Sequence, residues 1–96
     1  MNDAEAPYGE KAELLKALAH PLRLRIVRGL LRCGCRNVGC MEEYTGQSQS
    51  CISQHLMRLK AARVVKAERL VYYKIADREV AAIVSALFGD REEDYR

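Results

Sequence analysis

Residues 32–40 read RCGCRNVGC, which sets Cys33, Cys35 and Cys40 within eight positions; Cys51 follows eleven residues later. Thiolates are soft donors. Three in a pyramid suit As(III) or Sb(III), and four suit Zn(II) or Cd(II). Cys33 and Cys35 flank Gly34 and Cys40 comes shortly after, so one short segment would fold three sulfurs about one ion without crossing the domain. Arg32 and Arg36 stand beside the group and favour the thiolate. Cys51 is either a fourth ligand or simple packing. The same atoms offer a second chemistry, in which two thiols are bridged or take up reactive sulfur. A bridge between Cys33 and Cys35 alone is disfavoured by ring strain. A structural zinc site and inert thiols are the bland readings.

Ninety-six residues make one domain, and a chain of that size buries only about 60–65% of its extended surface. With five Tyr, one Phe and no Trp, its core must be aliphatic, and a second copy of the chain is a natural way to complete it. No apolar run approaches the roughly 20 residues of a membrane helix, and no signal-peptide segment follows Met1, so a cytoplasmic location is expected. In a reducing compartment cysteines serve more often as metal ligands or reactive thiols than as staples.

The net charge of +3 hides a sharper division. Residues 1–19 carry −2, residues 20–74 carry +8 and residues 75–96 carry −3. A basic middle between acidic ends suits a polyanion, although a solvated basic face would look the same.

Five helical stretches and a hairpin must position these groups. Residues 1–9 read as a loose arm, 10–89 as the folded domain and 90–96 as an acidic tail. Leu14, Leu15 and Leu18 give the first helix its face. Pro21 opens the second, where Leu22, Ile26, Gly29 and Leu30 align. Asn37 is placed to cap a short third helix ending near Thr45, and Gly46 to take a left-handed turn. In SQSCISQHLMRLKAA, Ile52, Leu56 and Leu59 recur at i, i+4 and i+7, with Ser50, Ser53, Gln54 and Met57 opposite and Arg58 to one side. Val64 and Val65, then Val71, Tyr72, Tyr73 and Ile75, are β formers around KAER, which reads as a hairpin turn. Asp77 is positioned to cap a last helix whose Val80, Ile83, Val84, Leu87 and Phe88 form a wide apolar stripe ending at Gly89. That stripe needs a cover, which a partner subunit would supply. The fold class is mainly α with a small β-hairpin, a winged helix-turn-helix.

LLKALAHPLRLRIVRGLL, GQSQSCISQHLMRLKAARVV and VYYKIAD together resemble the ArsR/SmtB family of metal-responsive repressors over about residues 12–88, with the Ser-x-Ser-Gln-His-Leu core as the most specific part. The resemblance implies a homodimer joined through the first and last helices, bound to a pseudo-palindromic double-stranded operator and released by an effector. The chain departs from the family pattern at three places. The wing has no glycine at its tip. Glu42 and Tyr44 stand where small residues are usual. The thiols sit outside the Cys-x-Cys-Asp-Leu register, and the last helix lacks the His/Asp pattern of zinc sensors.

Ser48, Gln49, Ser50, Ser53, Gln54 and His55 are candidates for base edges and nearby phosphates, His55 being equally readable as a packing residue. Arg58, Arg69 and Lys74 are phosphate candidates. The function expected is a DNA-binding repressor released when Cys33, Cys35 and Cys40 take a thiophilic ion, arsenite-type favoured, or alternatively a thiol-redox or reactive-sulfur repressor. A metal-binding interaction protein is the remaining non-enzyme reading. Cys51 and His55 lie one turn apart, but nothing beside them suggests an oxyanion site or a substrate cleft, so no enzyme is expected.

Overall fold

The aliphatic residues that set the helical periods converge on one core: Leu14, Leu18, Ile26, Val27, Leu30, Met41, Ile52, Leu56, Leu59, Val64, Val80 and Val84 are all buried. The computed structural model describes residues 7–33, 36–69, 72–76 and 78–90. Its elements run α1 (Tyr8–Leu18), α2 (Pro21–Cys33), β1 (Arg36–Asn37), α3 (Val38–Thr45), α4 (Gln49–Ala61), β2 (Val65–Arg69), β3 (Tyr72–Ile75) and α5 (Arg78–Phe88). Gly34, Cys35, Val71 and the Asp77 cap lie outside the described residues, as do residues 1–6 and 91–96.

Helix α1 begins at Tyr8, inside the stretch read as an arm. Its Leu14, Ala17 and Leu18 are buried, whereas Leu15 faces outward. Pro21 starts α2, where the Leu22 amide donates to His20 Nδ1 at 3.1 Å. Asn37 caps α3 as expected, its Oδ1 accepting from the Cys40 amide at 2.8 Å. Beyond Gly89, whose φ is 67°, Asp90 latches the end of α5 to α2. Arg28 grips both its carboxylate oxygens, at 2.8 and 2.9 Å, and Arg32 reaches one at 3.2 Å. Arg28 also lies over the Phe88 ring, 4.4 Å from its centroid. Asp90, read as the start of an acidic tail, is therefore part of the packed domain.

Two features of the sheet differ from the sequence reading. KAER is not the hairpin turn: Lys66 to Arg69 continue β2, and the connection falls later. The cause is a pairing that local propensity does not specify. Val65 pairs with Ile75, Lys66 with Lys74 and Ala67 with Tyr73, before an irregularity carries the register to Arg69 and Tyr72. The second feature is β1, which pairs Arg36 with Tyr73 and Asn37 with Tyr72 and makes the order β1-β3-β2. The cysteine segment is thus tied to the wing. Among the described residues no helix is long and apolar enough to cross a membrane.

Candidate nucleic-acid interface

Helix α4 rises from a turn fixed by short side chains. Thr45, buried at the end of α3, donates its hydroxyl to the Met41 carbonyl at 2.6 Å and accepts the Gln47 amide at 3.2 Å. Gly46 takes φ 72° and ψ 13°, a conformation that costs glycine no steric penalty, and its amide closes on the Glu42 carbonyl at 2.9 Å. Ser48, in extended backbone, accepts the Cys51 amide at 3.2 Å and caps α4. Ile52, Leu56 and Leu59 are fully buried and anchor the helix. On the opposite side Ser50, Gln54 and Met57 form an exposed row, with Gln49 and Arg58 also exposed and Ser53 half-buried. Ser48 is exposed, but its Oγ is engaged in the cap.

His55 is held by its own chain. Its Nδ1 accepts from Arg23 Nε at 3.0 Å, and its ring stands 4.6 Å from that of His20. Arg23 in turn donates to the Ala17 carbonyl at 3.2 Å. An acceptor nitrogen carries no proton, so this ring is neutral, with its hydrogen on Nε2. Burial lowers the His55 pKa first, and His20, Arg23 and Arg58 push it the same way. The side chain ties α4 to the α1–α2 corner.

Strand alternation puts Lys66 and Lys74 on one face of the wing, with Val65, Ile75, Ala67 and Tyr73 on the other, and the irregularity between Ala67 and Arg69 brings Arg69 onto the Lys66 face, opposite Tyr72. Lys66 and Lys74 stand directly opposite, a repulsive arrangement in an isolated hairpin. Glu68 answers Lys74 at 3.1 Å, and Arg69 lies 5.7 Å from the centroid of the Tyr72 ring, which leaves the face positively charged. Lys66 was absent from the sequence candidates; the period-2 alternation through Val65 and Ala67 signals its face, while only the β2–β3 pairing places it opposite Lys74.

The thiols are distributed along the route to this interface. Cys33 is exposed at the end of α2, and Cys40 is half-buried in the first turn of α3. Cys51 is half-buried on the flank of α4. Cys35 lies outside the described residues, among which no group of three or more His, Cys, Asp or Glu is gathered for a metal. One turn beyond Cys40, Tyr44 donates its hydroxyl to the Ile26 carbonyl at 3.3 Å and receives the Arg36 guanidinium 5.0 Å from its ring centroid. Burial raises the Tyr44 pKa to about 12; Arg36 opposes the rise and Cys40 adds to it.

The model of the arsR family of bacterial regulatory proteins matches residues 20–67, from the start of α2 into the first wing strand. The chain belongs to the ArsR family. The transcriptional repressor PagR of Bacillus anthracis is 37% identical over 81 residues, which is 81% of this chain and 81% of PagR. The PagR crystal structure aligns with a TM-score of 0.78 at 36% identity, covering 83% of this chain and 94% of its own. Reduced HlyU from Vibrio cholerae aligns at 0.82 and 30% identity, over 93% of this chain and 96% of HlyU. The homodimeric winged helix-turn-helix DNA-binding domain Mb0332 of Mycobacterium bovis aligns at 0.78 and 32% identity, over 93% and 84%. This ArsR-family chain is accordingly a winged helix-turn-helix transcriptional regulator that binds DNA, and not an enzyme.

Proposed function

We propose that the chain is a homodimeric repressor whose α4 lies in the major groove of a pseudo-palindromic operator, and that chemistry at its cysteine segment releases it. The observation that carries this reading is the free outward face of α4. Ser50 and Gln54 are exposed on a helix anchored from behind by Ile52, Leu56 and Leu59. Serine and glutamine are short or planar groups able to reach base edges, and Gln54 to adenine is the pairing to look for first. Gln49, Ser53 and the Ser48 turn stand beside them. Arg58, Lys66, Arg69 and Lys74 supply cations for phosphates, which give affinity rather than sequence choice. His55 supports α4 from behind and serves the interface by positioning it. The apolar residues exposed on α1 and α5, Tyr8, Leu15, Leu87 and Phe88, are the surface a second copy covers.

For release, the donor set suits a thiophilic ion of the arsenite type, whose ligands would be Cys33, Cys35 and Cys40. Cys33 closes α2 and Cys40 lies in the first turn of α3, so one ion held by both would link the two helices. Cys40 stands in α3, next to Tyr44, which reaches back to α2, so pulling on it tilts α3 and α4 against the rest of the subunit. Two recognition helices must sit about 34 Å apart to engage both half-sites. A coupling of about 1–3 kcal/mol then changes affinity about 5–150-fold. The redox reading uses the same thiols: Cys33, Cys40 and Cys51 are all free, and the related HlyU is described in a reduced form.

Titration of the full chain with a duplex selected from a random pool tests the first half. Log affinity should fall with log salt by about 0.9 for each phosphate contacted, and a flat salt response sinks the DNA reading. Arsenite, cadmium, zinc and a disulfide-forming oxidant are then added to the preformed complex. The ion reading expects arsenite to release wild type but not Cys35→Ser; release by oxidant alone selects the redox reading.

A further inference from the structure

Met57 is 71% exposed, the largest exposure of any bulky apolar side chain among the described residues. A lone exposed apolar residue is ordinary on a protein surface. Two observations set this one apart. It belongs to the row Ser50–Gln54–Met57 on the outward face of α4, antipodal to the row Ile52–Leu56–Leu59 that is fully buried. It is also the one large exposed apolar residue described on α4, the others lying on α1 at Tyr8 and Leu15, on α5 at Leu87 and Phe88, and on the wing at Tyr72. Self-association through the apolar residues of α1 and α5 would not by itself account for an apolar side chain on α4.

The row spans about 10 Å of helix axis at 1.5 Å per residue, or about three base-pair steps at 3.4 Å. Ser50 and Gln54 face two of these steps with hydroxyl and amide groups. Met57 faces the third with a flexible thioether and no hydrogen-bond donor. The thymine C5-methyl is the apolar group that the major groove presents to such a side chain. We infer that Met57 is a specificity-determining residue that packs on a thymine methyl in each half-site. The inference rests on α4 lying in the major groove, and it adds a base-discriminating contact to the serine and glutamine face. The same geometry favours 5-methylcytosine over unmodified cytosine at that step.

The test uses the full chain and the selected duplex, with each thymine replaced singly by deoxyuridine, which removes only the methyl. One thymine per half-site should be sensitive: its replacement weakens wild-type binding about fourfold, the worth of one buried methyl-sized group, and leaves Met57→Ala unaffected. Restoring the methyl as 5-methylcytosine, against cytosine at the same step, should favour the methylated duplex for wild type alone. Met57 packs into no core, and alanine is a strong helix former, so the variant keeps its fold and its salt slope. The inference is overturned if every deoxyuridine costs wild type and Met57→Ala equally, or if the selected half-site has no thymine beneath α4. In both cases salt-dependent duplex binding persists, whereas its loss in wild type removes the DNA reading and this inference together.

Discussion

At the scale of single residues, His55 is the side chain whose neighbours bear on the two roles its sequence position left open. It donates nothing to Arg23, which needs an unprotonated Nδ1 as acceptor, and burial followed by the neighbouring His20, Arg23 and Arg58 opposes charging of the ring. A histidine with a folded pKa below its ordinary 6.5 binds protons more readily when the chain is unfolded. The His55 contribution to stability is therefore fully present above pH 6.5 and is lost as the pH falls below it. Chemical denaturation of wild type and His55→Gln at pH 7.5 and pH 5.5 should show the larger loss in wild type. Equal losses would show that the imidazole is not what acidification attacks. Asp90 titrates in a separate window. Arg28 hydrogen bonds hold its carboxyl below its ordinary value of 3.8, so its latch weakens only in stronger acid.

At the scale of elements, the contact between α2 and α3 turns on Gly29 and Tyr44. A β-carbon built on Gly29 would meet the Tyr44 oxygen at 2.5 Å and its ring carbon at 2.7 Å. Glycine inside a helix ordinarily costs about 1 kcal/mol relative to alanine, so Gly29→Ala would stabilise a free-standing α2. Here Tyr44 is fastened to the Ile26 carbonyl and cannot swing away without losing that bond. We expect Gly29→Ala to destabilise the protein by about 1–3 kcal/mol, the usual range for an overpacked contact. In a Tyr44→Leu background the same change should be neutral or favourable. A denaturant-based double-mutant cycle decides, and stabilisation of wild type by Gly29→Ala would remove the contact from the account. Tyr44 is thus accommodated by an absent side chain fifteen residues earlier.

At the scale of the whole molecule, α1 and α5 leave Tyr8, Leu15, Leu87 and Phe88 facing outward from a domain already closed around Leu18, Val80 and Val84. Covering that surface with a second copy would set the separation of the two α4 helices. Leu87→Glu, at a position 62% exposed in the single chain, should leave the fold intact and shift sedimentation from dimer to monomer. Operator affinity should fall by tenfold or more, because one half-site then lacks its mate. A dimer that survives Leu87→Glu would move the interface elsewhere.

Much of this protein was legible along the chain. The Ile52, Leu56 and Leu59 period, the Asn37 cap and the left-handed Gly46 are local: each depends on residues within about one or two helical turns, and helix period and capping act at that range. What lay beyond reach was every pairing between distant segments. KAER reads as a turn because its residues disfavour strands, yet pairing with Tyr72, Tyr73 and Lys74 makes it one. Arg36–Asn37 is too short to announce a strand and becomes one only against β3. Asp90 reads as tail until Arg28 and Arg32 close on it, and His55 reads equally as a groove contact or a packing residue until the Arg23 hydrogen bond is seen. Sequence period chose the helices and the face that α4 offers. Tertiary packing alone chose which polar side chains on that helix were left free to meet a partner, because a hydrogen bond across 32 residues has no local signature.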